Sequence, residues 1–265
     1  MAESRPVLLT GASGALGRVL AQTLTRAGRT VRMTDIAPFA DPLPDNASFT
    51  RADLEDGVAI LRLAEGCGSI VHLGGTSTDQ PFEDVIGPNI RGLYHVFEAA
   101  RREKARVVFA SSNHAIGFHE RTTALDSDCA LRPDTYYGLS KAYGELMGGL
   151  YFDKHGVESV SVRIGSCFPE PRDARMLASW LSPADFGRLV EACLAAETVG
   201  RIVIWGASKN SRMTWWRHDD RDVIGWAPQD SADPWTDRLQ DRTSGDPVNE
   251  RYQGGAYCAA GYSRE

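Results

Sequence analysis

Short apolar runs and helical repeats alternate along the first two-thirds of the chain. Val7-Leu8-Leu9-Thr10 is almost wholly apolar and too short for a helix, which predicts a first buried strand. Leu16, Val19, Leu20 and Leu24 then recur at helical spacing, giving the next helix one apolar face. Gly28 stops that helix, and Thr30 to Thr34 supplies a second strand. Further strands are read at Ser69 to Leu73, Arg106 to Ala110, Ser159 to Ile164 and Arg201 to Trp205. Between them Leu93, Val96, Phe97 and Ala100 share one side of a helix, and another helix starts near Tyr137. Strands alternating with helices of this length predict an α/β fold, a doubly wound parallel sheet covered on both faces.

Beyond Ile164 the chain is rich in Trp, Pro and Arg, and Asp219 to Asp246 is polar and turn-rich. That stretch is expected to form short helices and loops over the catalytic face, not a second domain. The chain is therefore read as one domain, 1–265, with residues 1–164 as a nucleotide-binding core and 165–265 as mainly substrate-side segments. The paired Trp215 and Trp216 are expected to pack, although they could also line the mouth of a site.

Composition narrows the partners. The 265 residues carry 29 Lys and Arg against 35 Asp and Glu, a net charge of −6 with no basic run to track a phosphate backbone. Nucleic acid is therefore not expected as a partner. No apolar run is long enough to cross a bilayer, and Met1 to Pro6 leads into only three apolar residues, a strand and not a secretion signal. A cytoplasmic location without a membrane partner follows as the expectation. The five cysteines (Cys67, Cys129, Cys167, Cys193, Cys258) are odd in number and widely spaced, which suits a reducing compartment and neither a disulfide framework nor a metal site.

Two segments carry chemistry. Thr10-Gly11-Ala12-Ser13-Gly14-Ala15-Leu16-Gly17 follows a strand and opens a helix, the setting of a dinucleotide-binding turn. Gly11 permits the tight turn, Gly14 clears space for a pyrophosphate, and Gly17 lets helix and sheet approach closely; the free N–H groups around Ala15 and Leu16 face the phosphates. This is the signature of a Rossmann-type sheet. At the end of the second strand Asp35 can accept both ribose hydroxyls and repel a 2′-phosphate, and Ile36-Ala37-Pro38 brings no arginine, so NAD is expected over NADP. Asp53-Leu54 could hold the adenine edge, although Asp53 could equally cap a helix.

The second segment is Tyr137-Gly138-Leu139-Ser140-Lys141. Residues four apart share a helix face, so phenol and ammonium reach one cleft. A free tyrosine, with a pKa of about 10, is a poor base at neutral pH, and a lysine cation beside it favours the phenolate. The pair is expected to remove a hydroxyl proton as hydride leaves the adjacent carbon. Ser111 and Ser112 end the preceding strand and put hydroxyls at the carboxyl edge of the sheet, where ligands bind.

With these pieces, and with N-I-x-G-L-x-x-x-x-E-A-A around Asn89, the chain resembles the extended short-chain dehydrogenase/reductase family over essentially its whole length. The resemblance implies Ser112, Tyr137 and Lys141 as a catalytic trio, and Leu73, Gly74, Gly75 and Asn89 near the cofactor or supporting the site. Within the family, V-H-L-G-G from Val71, F-A-S-S-N-H from Phe109, R-I-G-S-C-F-P-E-P from Arg163 and R-Y-Q-G-G from Arg251 are similar to the uronate dehydrogenases. That likeness implies NAD-dependent oxidation of C1 of cyclic D-glucuronate or D-galacturonate to an aldaric acid lactone. It also implies a carboxylate-binding Arg175, with Ser77, Ser112, Asn113, His114 and Ser166 reading the ring hydroxyls, and a homo-oligomer paired through the helix of Ala142, Leu146, Met147 and Leu150.

The residues alone leave alternatives. Arg175 could pair with Asp173 or Glu170 on the surface, and His114 could be a second base. Arg163, inside a strand pattern, is assigned to structure. Another sugar dehydrogenase, a nucleotide-sugar epimerase or a non-catalytic NAD-binding regulator would share much of this pattern.

Overall fold

The structure, a computed structural model, describes residues 5–259 and 261. Its main sheet has seven parallel strands. The first six are β1 (Val7–Thr10), β2 (Val31–Asp35), β3 (Ala47–Arg51), β4 (Ser69–His72), β5 (Arg106–Ser112) and β6 (Ser159–Ile164). A small pair, β7 (Ser166–Cys167) and β8 (Trp180–Leu181), intervenes before β9 (Arg201–Gly206) completes the sheet. The order β3-β2-β1-β4-β5-β6-β9 means that the chain winds outward from β1 and then returns to β4 on its other side. This is the expected doubly wound Rossmann-type sheet.

Alternating residues of β1 feed two cores. Val7 and Leu9 pack with Leu20 and Leu24 of α1 (Ala15–Arg26) on one face. Leu8 packs on the other face with Ile60 of α2 (Gly57–Ala64). The short α3 (Phe82–Val85) leads through a π-helical turn, Ile86–Arg91, into α4 (Gly92–Glu103), whose Leu93, Val96 and Phe97 join the second core. Met147 and Tyr151 of α5 (Tyr136–His155) join it too. After α6 (Met176–Ser179), α7 (Pro183–Ala195) returns to the first core with Phe186, Leu189 and Val190. Each such side chain contributes about 1.5–3 kcal/mol on full burial.

Element ends follow local chemistry. Thr135 accepts from Gly138 N at 3.0 Å and so starts α5 at Tyr136, one residue before the expected start. Gly156, with φ of +68°, ends it in the left-handed region that favours glycine. The sequence reading places no helix at α7, although Ser182-Pro183 with Asp185, whose N–H bonds the Ser182 hydroxyl at 2.8 Å, is a legible helix start.

The Asp219–Asp246 stretch does form short helices, at Arg221–Ile224, Asp233–Trp235 and Thr236–Leu239. Most of it does not cover the catalytic face, because Ile224 and Trp226 turn inward to the core against α1 and α7. Trp215 and Trp216 are buried, and the Trp216 ring stacks on Trp205 at 4.9 Å instead of lining the site. Arg163 is structural as expected: it bonds Glu145 at 2.8 and 2.9 Å, and Ser111 donates to the same carboxylate at 2.6 Å. Among the described residues no helix is long and apolar enough to cross a membrane.

Candidate active site

The carboxyl ends of β1, β2, β4, β5 and β6 open onto a cavity of about 1040 Å³. It lies where the strand order reverses between β1 and β4, the usual ligand crevice of an open α/β sheet.

The glycine turn forms one end. Gly11 has φ of +71°, and a Cβ there would lie 2.6 Å from Gly74 N; a Cβ on Gly17 would lie 2.1 Å from Gly11 O. Both are demanded by chain crossing chain. Gly14 differs: its φ of −68° is open to any residue, and an added Cβ would meet only Gly11 O, at 3.3 Å. The space beyond it belongs to the cavity. Helix α1 starts at Gly14 with no side-chain cap and no acidic residue in its first turn. The N–H groups of Ala15, Leu16 and Gly17 therefore present uncompensated positive dipole ends to the cavity, which fits a pyrophosphate.

Asp35 also lines the cavity, its carboxylate held by Ser13 N at 2.9 Å and Ala37 N at 3.0 Å. One arginine does stand nearby, supplied by β3 and so invisible in the residues after Asp35. Arg51, the register partner of Asp35, donates to Ile36 O at 2.6 Å. Ile36, Asp53, Leu54, Leu73, Gly74 and Gly75 line the same end. Asp53 does not cap α2; Asp56 does, accepting from Val58 N and Ala59 N. Asn89 stands behind the wall. It bonds Thr76 N at 2.7 Å, Thr76 O at 2.9 Å and Ser140 at 2.9 Å, and its side chain blocks any Cβ on Gly75. It supports the loop and does not line the cavity.

Tyr137, Lys141 and Ser112 meet at the middle of the cavity. Tyr137 is 8% exposed, and its phenol lies beside the Ser112 hydroxyl. The lysine geometry departs from expectation. The Lys141 ammonium lies over ring faces, 5.4 Å from the Tyr137 centroid and 5.0 Å from that of Phe109. Burial dominates both groups: it pushes Tyr137 up to about 12 against the Ser112 hydrogen bond, and it lowers Lys141 to about 8. In this state the lysine does not lower the phenol.

His114 lines the cavity beside them, its Nδ1 2.7 Å from the buried Asp134 carboxylate. Its ring stacks on Tyr257 at 3.9 Å and meets Tyr137 edge-on at 5.8 Å. The carboxylate fixes Nδ1 as the donor and leaves Nε2 as the free nitrogen.

Arg175 occupies the far wall. Neither anticipated carboxylate partner claims it: Glu170 pairs with Arg238 at 2.9 Å, and Asp173 accepts from Met176 N at 2.8 Å. Among the described residues no carboxylate lies within ion-pairing distance of its guanidinium. Burial, and secondarily the charge of Arg121, lowers its pKa from a high starting point. Ser77 and Ser166 line the cavity as expected. Asn113 does not: it is 1% exposed and sits behind Arg175, and with its amide assigned the orientation that satisfies both neighbours its oxygen accepts from Nη2 at 2.7 Å and its nitrogen donates to Ile164 O at 3.1 Å.

Several wall residues escaped the sequence reading: Arg121, Arg242, Asn249, Glu250 and the run Gly254 to Tyr257. Arg121 is a compensated cation, bonded to Glu250 at 2.7 Å and to Tyr252 O at 3.1 Å. Its loop and the C-terminal strap are paired through Glu120 and Tyr252.

Known proteins share this fold. The model of the NAD dependent epimerase/dehydratase family matches residues 7–220. The chain belongs to that family. It is 45% identical over 258 residues to a uronate dehydrogenase of Pseudomonas syringae pv. tomato, covering 96% of this chain and 94% of that one. The solved glucuronic acid dehydrogenase from Chromohalobacter salexigens superposes with a TM-score of 0.92 at 41% identity, over 97% of each chain. Uronate dehydrogenase from Agrobacterium tumefaciens, solved as a tyrosine-to-alanine mutant complexed with NAD, gives a TM-score of 0.92 at 41% identity, over 99% of this chain and 100% of that one.

Proposed function

We propose that the chain oxidises C1 of a cyclic hexuronic acid, D-glucuronate or D-galacturonate, to the aldaric acid lactone with NAD. The observation that carries this reading is Arg175, an uncompensated guanidinium in the same cavity as Tyr137 and Ser112. A neutral sugar would leave that buried charge unpaired, whereas a C6 carboxylate matches it and the forked geometry of its donors.

Gly11, Gly14, Ala15, Leu16 and Gly17 would hold the pyrophosphate of NAD, and Asp35, Ile36, Asp53 and Leu54 its adenosine. NAD, when bound, supplies the acceptor for the hydride lost from C1. The remaining work falls to the chain. Tyr137 receives the C1 hydroxyl proton, and Ser112, beside the phenol, orients the reacting oxygen. Lys141 supplies a buried cation beside the phenol, a charge that would favour the phenolate as the proton leaves. His114 and Ser166 offer polar atoms to ring hydroxyls, and Ser77 does so from the opposite loop. Loss of hydride from a cyclic hemiacetal carbon gives the lactone directly.

We read residues 1–164 as the NAD-binding core and 165–265 as mainly substrate-side, within one domain. A homo-oligomer is supported by the outer face of α5, where Leu139, Leu146 and Leu150 are 49%, 64% and 46% exposed. Ala142 and Met147, once grouped with them, are buried in the fold. A cytoplasmic location accords with five free cysteines.

The test is appearance of the NADH absorbance band with NAD and, separately, glucuronate, galacturonate, glucose and galactose. Turnover confined to the uronates is expected. Equal turnover of the neutral sugars would overturn the substrate assignment.

A further inference from the structure

We infer that Gln253 is the positioning residue for Arg175, and through it a determinant of affinity for the substrate carboxylate. The inference rests on the reading of Arg175 given above. Gln253 has no exposed surface and lies on the C-terminal strap (residues 252–257), just before the cavity-lining run Gly254 to Tyr257. Its carbonyl accepts from Arg175 Nε at 2.8 Å, across 78 residues of sequence. Its side chain is bonded at both ends: Oε1 accepts from Trp216 Nε1 at 3.0 Å, while Nε2 donates to Thr123 O at 3.1 Å and Glu120 O at 3.2 Å. Its own N–H donates to His119 O at 2.9 Å.

The arrangement has a physical logic. An arginine meant to grip an anion must be held still without being neutralised. A carboxylate partner would hold it and cancel its charge, as Glu250 does for Arg121. Here the Arg175 guanidinium is held by neutral carbonyl oxygens, Gln253 O on one side and the Asn113 amide on another, and its charge stays available. The strap also runs close to the arginine: Gly255 has φ of +63°, and a Cβ there would lie 2.9 Å from Arg175 Cδ. The height at which the strap sits therefore sets where the guanidinium sits. The Gln253 amide, anchored to three backbone or side-chain groups from two other loops, fixes that height.

A Gln253→Met variant keeps the length and burial of the side chain and removes its amide bonds. KM for glucuronate should rise about tenfold, the equivalent of one well-placed hydrogen bond, while kcat stays within about threefold. KM for NAD should not change. Because Gln253 acts through Arg175, adding Gln253→Met to Arg175→Ala should raise KM no further than Arg175→Ala alone. Trp216→Phe, which removes only the indole donor, should give a smaller rise in the same direction and carries the test if Gln253→Met does not fold. Independent, multiplying effects in the double variant, or a fall in kcat at constant KM, would overturn the inference and leave Gln253 a fold-stabilising residue. So would an unchanged glucuronate KM in Trp216→Phe where Gln253→Met does not fold. Failure of the underlying reading looks different: Arg175→Ala would then leave the glucuronate KM unchanged, and both would fall together.

Discussion

The two ends of the cavity are built from different materials. The cofactor end is mostly backbone: an uncapped helix start, glycines at strand ends, and one carboxylate held by two neighbouring N–H groups. Its parts follow strands β1, β2 and β4 directly in sequence. The substrate end is made of side chains held by other side chains and loops. Arg175 is gripped by Asn113 after β5, by Ser166 in β7 at 3.4 Å, and by Gln253 in the C-terminal strap. A site made of backbone dipoles keeps its chemistry whatever many of its side chains are, so one such end can serve a whole family. A site made of a propped cation is specific, and it depends on residues that never touch the ligand.

The largest expected effect lies where the two ends meet. Tyr137→Phe should lower kcat by about 10²–10⁴-fold, the range for loss of a positioned acid–base group, with NAD binding nearly unchanged. Tyr136, packed edge-on to Phe82 at 5.5 Å, is the neighbouring control and should matter far less. Substantial turnover by Tyr137→Phe would transfer the role of base to His114.

At the substrate end, Arg175→Ala should cost about 2–5 kcal/mol, a fall of roughly 30-fold to several thousand-fold in kcat/KM for uronates. Arg175→Lys should recover only part, since an ammonium lacks the fork. Equal losses with uronates and with any neutral aldose that turns over would make Arg175 a structural residue and erase the contrast between the two ends.

At the cofactor end, Asp35→Ala should raise kcat/KM with NADP relative to NAD by about tenfold or more, the equivalent of one charge-assisted hydrogen bond exchanged for a repulsion removed. Arg51, the register partner of Asp35 and bonded to Ile36 O, stands beside that site, where no carboxylate would then repel a 2′-phosphate. Wild-type activity equal with both cofactors would refute the role of Asp35.

The smallest effect concerns stability beneath the cofactor end. His72 is buried, bonded to Thr10 at 2.7 Å, and burial lowers its pKa from 6.5 to about 3. Between those values the unfolded chain takes up a proton that the native state refuses. This contribution is therefore intact above pH 6.5 and is lost as pH falls, at up to about 1.4 kcal/mol per pH unit. Denaturation midpoints of the ligand-free protein should fall less steeply with acid in His72→Gln than in wild type. Parallel slopes would show that the histidine is not the source.

The same contrast explains what could be read from the sequence. The glycine turn, Asp35 and the Tyr137–Lys141 pair are local patterns tied to strand ends or one helix turn, and the structure brings them to one cavity. Asn89 and Asn113 were named but stand one layer back, because sequence proximity to a site does not say which way a side chain turns. Arg121, Asp134 and Tyr257 were missed: none sits on a periodic element, and Arg121 meets Glu250 across 129 residues. The R-Y-Q-G-G segment was visible, and its two glycines were the one available signal of a close approach. A Cβ on Gly254 would lie 2.0 Å from the Asp134 carboxylate. Spacing alone also does not give the sign of the shifts on Tyr137 and Lys141. A shared helix face sets proximity, whereas burial of both groups sets the sign of the shifts.

The inequality among the three glycines of the first turn bears on how such a chain can change its occupation. Gly11 and Gly17 are obligations of architecture, since a methyl at either would collide with the polypeptide itself. Gly14 has ordinary backbone angles, and a methyl there would meet the protein only at Gly11 O, 3.3 Å away, a tight contact that a shift of a few tenths of an ångström relieves; the larger constraint on it comes from what the cavity holds. A lineage could thus abandon redox chemistry through a single alanine at position 14 and inherit an intact scaffold. The reverse route would be equally short, and a retired relative could regain its coenzyme without first rebuilding a fold.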